Sequence, residues 1–335
     1  MSTDSTIRSA RFRAERENDW KRLDAIVTQT EKRGVRSLSF SDARDLAVLY
    51  RQAMNSLSVA RSISLDRSLL SYLDALCSRA YLAVYAPQET MGGLLARTLV
   101  YSIPQAMRRS AIPLLMAFLA MALGFITGYL LFFEDMTWYN TFMPEALAGG
   151  RGISSSAEQL LMVIYDEDPG SLDQLGAFAA RLFGHNTQIA IFAFSLGVLV
   201  CLPSFALVVY NGLILGVFYA LHVDRGIGWD LFGWLSIHGV TELSAIAIGA
   251  AGGFRLGLAV LFPGKLRRRD ALRKEGRDAA LLAILAAIML LTAGLLEGFG
   301  RQLVQDRDTR ILVGWGIGAL WVSWWLFSGR GQQRK

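Results

Sequence analysis

Cysteine is nearly missing from this chain of 335 residues, which has two, Cys77 and Cys201. One lies in a polar region and the other in an apolar run. They build no disulfide framework, and no CxxC spacing suggests zinc. Both read as small buried hydrophobes. Histidine is almost as scarce, with three residues. HExxH, GxSxG and glycine-rich phosphate loops are absent, so the familiar metalloprotease, hydrolase and nucleotide-binding signatures are excluded. No catalytic residue, no bound metal and no cofactor is expected. Basic residues are plentiful but no base-reading motif accompanies them, so nucleic acid is not an expected partner. The N-terminus is polar and charged for over 40 residues, which speaks against a cleavable signal peptide.

What the chain has in excess is apolar length. Hydrophobic residues make up 53% and mean hydropathy is +0.35, against about 45–50% apolar in ordinary soluble domains. The charge is blocked: net +6 over residues 1–111, −6 over 134–185 and +4 over 263–278. The N-terminal part reads as amphipathic helices. Phe12, Trp20, Leu23 and Ile26 stripe the first. Leu46, Leu49, Tyr50, Ala53, Leu57 and Ala60 stripe the second, starting near Ser39. Leu69, Leu70, Leu73, Leu76, Cys77, Ala80, Tyr81 and Val84 stripe the third, bounded by Asp66 and Pro87. Residues around Met91–Val100 suit a helix lying on a membrane surface.

The remainder holds runs of the roughly 20 apolar residues that a bilayer requires. They are Ile112–Phe133, two short spans within the charge-free Gln188–Val223 hinged near Pro203, Phe232–Phe262, Ala279–Phe299 and Ile311–Phe327. A re-entrant hairpin in 188–223 is the alternative to two spans. Short helices are expected around 157–165 and 172–183. The fold expected is all-α: a polytopic helical membrane protein with six spans. Residues 1–110 form a cytoplasmic helical domain with a membrane-surface helix, and 111–330 form the transmembrane domain with an acidic outer loop at 134–185.

Polar residues inside such spans are the candidate site. His238 and Glu242 are four apart and share one helical face. Glu242 is expected to point into protein, with His238 one turn nearer the outer surface. Asn186 and Asn211 are the nearest polar partners for this intramembrane cluster. Three uses remain open: a hydrogen-bond network locking helices, a polar conduction or proton path, and a metal or catalytic site. The last needs a third ligand, for which His185 and His222 are the candidates. Arg255, 13 residues past Glu242, is too far along the helix to pair with it and is expected to snorkel to the inner surface. Glu297 is expected at the outer boundary, as an interface residue or a partner for Arg301. Gly249, Gly253 and Gly257, with Gly212, Gly216 and Gly239, are expected to let helices pack closely. Gly314 and Gly318 repeat that spacing. Trp324 and Trp325 suit an inner interface anchor.

The motifs resemble those of the stage II sporulation protein M family of bacterial integral membrane proteins. The N-terminal part carries Phe12-Arg13, Trp20 and Leu23, then Leu49-Tyr50-Arg51, Ala60-Arg61, Tyr72-Leu73-Asp74 and Arg79-Ala80-Tyr81. The membrane part carries Asn186, Phe194 with Gly197, Asn211-Gly212 with Gly216, and His238-Gly239 with Glu242-Leu243. Ile237 stands where the family often has proline, and His185 where it often has asparagine. The resemblance implies an inner-membrane scaffold or complex subunit linking cytoplasmic and envelope partners, possible homo-oligomers, and company such as MoxR-type ATPases. The alternative is a transporter or channel subunit with a polar path near Asn211, His238 and Glu242.

Lysine and arginine favour the cytoplasmic side. Six spans put the N-terminal part, Lys265–Arg277 and the basic tail all inside, and 134–185 outside. The expected outcome of cysteine accessibility labelling in intact cells is protection of sites introduced in 265–277; labelling from outside overturns this topology.

Overall fold

The computed structural model describes residues 3–62, 67–85, 91–165, 172–300 and 303–330. They form helices and turns, with no strand among the described residues. The chain divides into two compact units, Met1–Leu94 and Leu95–Lys335.

The first unit is built from α1 (Thr3–Arg33), α2 (Phe40–Ser62) and α3 (Arg67–Tyr85). The apolar stripes meet as one core of Trp20, Leu23, Ile26, Val27, Ala53, Leu57, Leu73, Leu76 and Cys77, with Leu70 and Val84 packed at its edge; Tyr81, expected in the third stripe, is instead 53% exposed. Gly34, at φ 77°, turns the chain after α1, a left-handed conformation that glycine adopts without a Cβ clash. Ser39 caps α2: its Oγ accepts from the Asp42 amide at 3.1 Å and donates to the Asp42 carboxylate at 2.7 Å. Arg79 on α3 clamps α1, donating to Asp24 at 2.7 Å, to Thr28 at 3.0 Å and to both Glu31 oxygens at 2.8 and 2.9 Å. That guanidinium holds the Glu31 carboxyl below the usual carboxylate range. Asp66 and Pro87, expected to bound α3, lie outside the described residues.

The second unit begins at the boundary helix α4 (Met91–Arg97), followed by a π turn at Thr98–Ser102 and α5 (Ile103–Arg109). The long helices are α6 (Ala111–Glu134), α10 (Leu172–Gly197), α11 (Leu202–Asp224), α12 (Gly228–Leu261), α13 (Arg268–Leu295) and α14 (Arg307–Phe327). Short helices α7 (Trp138–Phe142), α8 (Glu145–Ala148) and α9 (Ala157–Ile164) fill the segment after α6. A π turn, Leu296–Gly300, continues α13. Among the described residues, five helices are long and apolar enough to cross a membrane: α6, α11, α12, α13 with its π turn, and α14. The protein is therefore an all-α polytopic membrane protein.

The sixth long helix, α10, differs from expectation. The short helix expected at 172–183 and the span expected from Gln188 are one continuous helix, because nothing between them breaks the backbone. Asp173, Gln174 and Arg181 and the polar run His185–Gln188 interrupt its apolar residues, so α10 is not among the five. The hinge also shifts: helix ends at Gly197, Val200 and Cys201 take positive φ of 56° and 67°, and Pro203 sits in the first turn of α11, where its missing N–H is no loss.

Glycine governs the packing. On α6, Gly124 and Gly128 face Val209 and Leu213 of α11; on α11, Gly212 and Gly216 face Met121 and Phe125 of α6. A Cβ at any of the four would collide with the opposing backbone. Gly253 and Gly257 of α12 meet Phe194, Gly197 and Cys201 in the same way, and Gly314 of α14 meets Ser236. Gly249 makes only ordinary contacts, 3.4 Å or more. Gly239 departs from expectation. Among the described residues, a Cβ there would meet nothing closer than Leu235 Cβ at 3.9 Å, so it is not a point of close helix approach like Gly212, Gly216, Gly253 and Gly257.

Ion pairs close one end of the bundle. Arg109 makes a two-pronged contact with Asp278 at 2.6 and 2.8 Å. Arg255 reaches Asp278 at 2.8 Å and Glu275 at 2.6 Å, and donates to the Ser110 hydroxyl at 2.8 Å. The Arg255 side chain is 13% exposed and ties α12 to α13 and, through the Arg109 carbonyl, to α5. Arg108 donates to the Trp325 carbonyl at 2.6 Å, bringing the end of α14 to the same place. At the other end, Arg225 donates to the Ile153 and Ser155 carbonyls, and Tyr165 to Asp230 at 2.7 Å.

Gly212→Val drives branched carbons into the α6 backbone and should destabilise the bundle by about 1–3 kcal/mol, whereas Gly239→Ala should be neutral. Thermal unfolding of the detergent-solubilised variants checks both.

Candidate functional site

His238 lies ten residues inside α12, counting from Gly228, about 15 Å along the helix axis. It is 3% exposed, so it is an enclosed residue and not one at the mouth of a span. Its ring stands edge-on to Trp234, centroids 5.6 Å apart. One turn on, Glu242 places Oε2 3.9 Å from His238 Nε2.

The residue that sequence reasoning missed is Glu297. It was expected at a boundary beside Arg301, which lies outside the described residues. Instead Glu297 is 4% exposed and its Oε1 lies 3.6 Å from His238 Nε2. It sits in the π turn that continues α13. A π turn adds a residue to one helical repeat and re-aims the side chains it carries, and such turns recur at functional sites. α13 runs antiparallel to α12, so the end of one reaches the early turns of the other.

Asn186 on α10 donates its Nδ2 to Glu242 Oε1. Glu242 thus spends one oxygen on Asn186 and turns the other toward His238. The structure brings together Asn186, His238, Glu242 and Glu297, from three helices. Asn211 does not join them: its amide donates to the Leu207 carbonyl of its own helix at 2.9 Å. The two histidines considered as third ligands are also used differently. His222 is buried, with Nδ1 2.8 Å from the Phe218 carbonyl one turn back. His185, partly buried, precedes Asn186, and no contact links it to the cluster among the described residues.

Two carboxylates beside an imidazole in an apolar bundle need compensating positive charge, from a proton or a cation. Without it their repulsion is weakly screened at such burial. The arrangement can therefore hold a proton, hold a cation, or tie three helices together through shared hydrogen bonds.

The fold and this centre define a polytopic helical membrane protein with an enclosed His–Glu–Glu–Asn group among its spans. The chain belongs to the stage II sporulation protein M family, whose model matches residues 117–300. That match includes all four residues of the group. Residues 10–86 match a separate domain of unknown function, DUF8413, which coincides with the three-helix core of the first unit. Neither the curated proteins nor the solved structures contain a match.

Asn186→Ala leaves a Glu242 oxygen without its donor and should lower stability by about 1–3 kcal/mol. Asn211→Ala should lower it less, since only a bond within its own helix is lost. Thermal unfolding of the two variants side by side measures the difference.

Proposed function

We propose that the protein is a non-enzymatic adaptor in a membrane complex. The helical bundle anchors it in the bacterial cytoplasmic membrane with both termini inside, and the first unit docks a cytoplasmic protein. The observation that carries this reading is an uncovered aromatic patch on that unit. Tyr81, Leu82 and Tyr85, at the end of α3, are 53%, 59% and 62% exposed. Helical spacing sets them on one side. Tyr81 and Tyr85 rings lie 5.1 Å apart, and Tyr85 stands edge-on to Tyr50 at 6.0 Å. Grouped exposed aromatic side chains are what protein interfaces use as anchors. A MoxR-type ATPase is a partner of the expected kind, and the acidic segment after α6 suits contact with envelope proteins. The orientation is supported by charge, because Arg108, Arg109 and the 265–277 block gather at one end of the bundle.

A second reading, a subunit of a transporter, is favoured by one observation: the enclosed carboxylates on α12 and α13. It needs Glu242 to carry charge or protons, which an adaptor does not.

Affinity purification from membranes distinguishes the two. The adaptor reading expects a partner that co-purifies with wild type and with Glu242→Gln, and is reduced at least about tenfold in Tyr81→Ser/Tyr85→Ser, the loss of two anchor residues. Equal recovery by the tyrosine variant overturns the docking patch. Loss of function in Glu242→Gln with the partner still bound supports transport instead.

A further inference from the structure

The group on α10, α12 and α13 carries more than helix packing. We propose that His238, Glu242 and Glu297 form a binding site for a divalent transition-metal cation of the zinc class, with Asn186 orienting Glu242 behind it.

One nitrogen and two carboxylate oxygens converge, and the three ligand atoms all lie within 4.8 Å of one another. His238 Nε2 is 3.6 Å from Glu297 Oε1 and 3.9 Å from Glu242 Oε2. Ligands bound at about 2.0–2.1 Å around a tetrahedral ion stand roughly 3.3 Å apart. The two separations from His238 lie near that value. A neutral imidazole and two carboxylates form a donor set of the kind that a dication takes. The donor set of imidazole and carboxylate suits zinc and its neighbours better than calcium or magnesium, which take oxygens alone.

One further feature is that of a built site. The Asn186 bond to Glu242 Oε1 is the outer-shell contact that fixes which carboxylate oxygen faces a metal. Gly239 is buried and three residues before Glu242, hence on its side of α12. A Cβ at this position would make only an ordinary contact, with Leu235 Cβ at 3.9 Å. Three protein ligands and one open position is an arrangement that zinc accepts. Because the ligands come from α12 and from the π turn of α13, a bound ion would also pin these two helices together.

The site does not depend on the docking patch, and its test reads a different quantity. Full-length, tag-free protein in detergent is stripped with a chelator, dialysed, and reloaded with Zn²⁺ or Co²⁺. Metal content is measured by mass spectrometry, and the visible absorption of the Co²⁺ form reports tetrahedral coordination. The expected result is about one ion per chain in wild type, with the number set by one site of three protein ligands. Glu297→Gln and His238→Ala should lose the ion, Asn186→Ala should bind about 10–100-fold more weakly, and His222→Ala should bind normally. Glu297→Gln keeps the side-chain shape, and its gel-filtration profile separates loss of metal from loss of fold. Wild type that takes up neither ion overturns the proposal. So does uptake that Glu297→Gln and His238→Ala both retain, which would place the ion elsewhere.

Discussion

The close approach of α10 to α12 at Gly197 and Gly253 sets the register on which the enclosed site depends. These two backbones touch where neither residue has a side chain. The contact pairs residues 56 apart in sequence, and so does the Asn186–Glu242 hydrogen bond. Parallel helices held at one offset keep it along their length, so the glycine contact near one end delivers Asn186 to Glu242 three turns away. A side chain at either glycine would push α10 outward, and the amide would no longer reach.

Charge supplies the complementary constraint. An ionised side chain inside an apolar bundle is tolerated only with partners, and two groups of the second unit meet this condition differently. Arg109, Arg255, Glu275 and Asp278 neutralise one another at the end where α5, α12 and α13 meet. His238, Glu242 and Glu297 lie deeper, with two acids to one imidazole. The first group is balanced within itself. The second gathers two carboxylates around one imidazole, which makes it the place to look for a bound proton or ion.

α12 is where the two constraints combine. It is the most enclosed of the candidate spans, with 67% of its most apolar stretch buried. Its small residues admit α10 and α14, and its polar residues face α10 and α13. Glycine in a membrane helix permits approach only if something approaches, and Gly239 shows the converse. Among the described residues, no backbone comes within contact of a Cβ placed there.

Much of this was legible in the residues. The amphipathic stripes of α2 and α3, the apolar length of α6, α11, α13 and α14, and the shared face of His238 and Glu242 all follow from local spacing. Local spacing determines which residues of one helix lie together, whatever that helix later touches. The family resemblance was readable for the same reason, since its motifs are short and local. Glu297 was not legible. It lies 55 residues beyond Glu242, and only the antiparallel pairing of α13 with α12 brings it to His238. Nor was the role of Asn211, whose spacing fits a polar path as well as it fits a bond to its own helix. Periodicity fixes neighbours within a helix, whereas neighbours between helices depend on offset and rotation, which only the packed backbone decides.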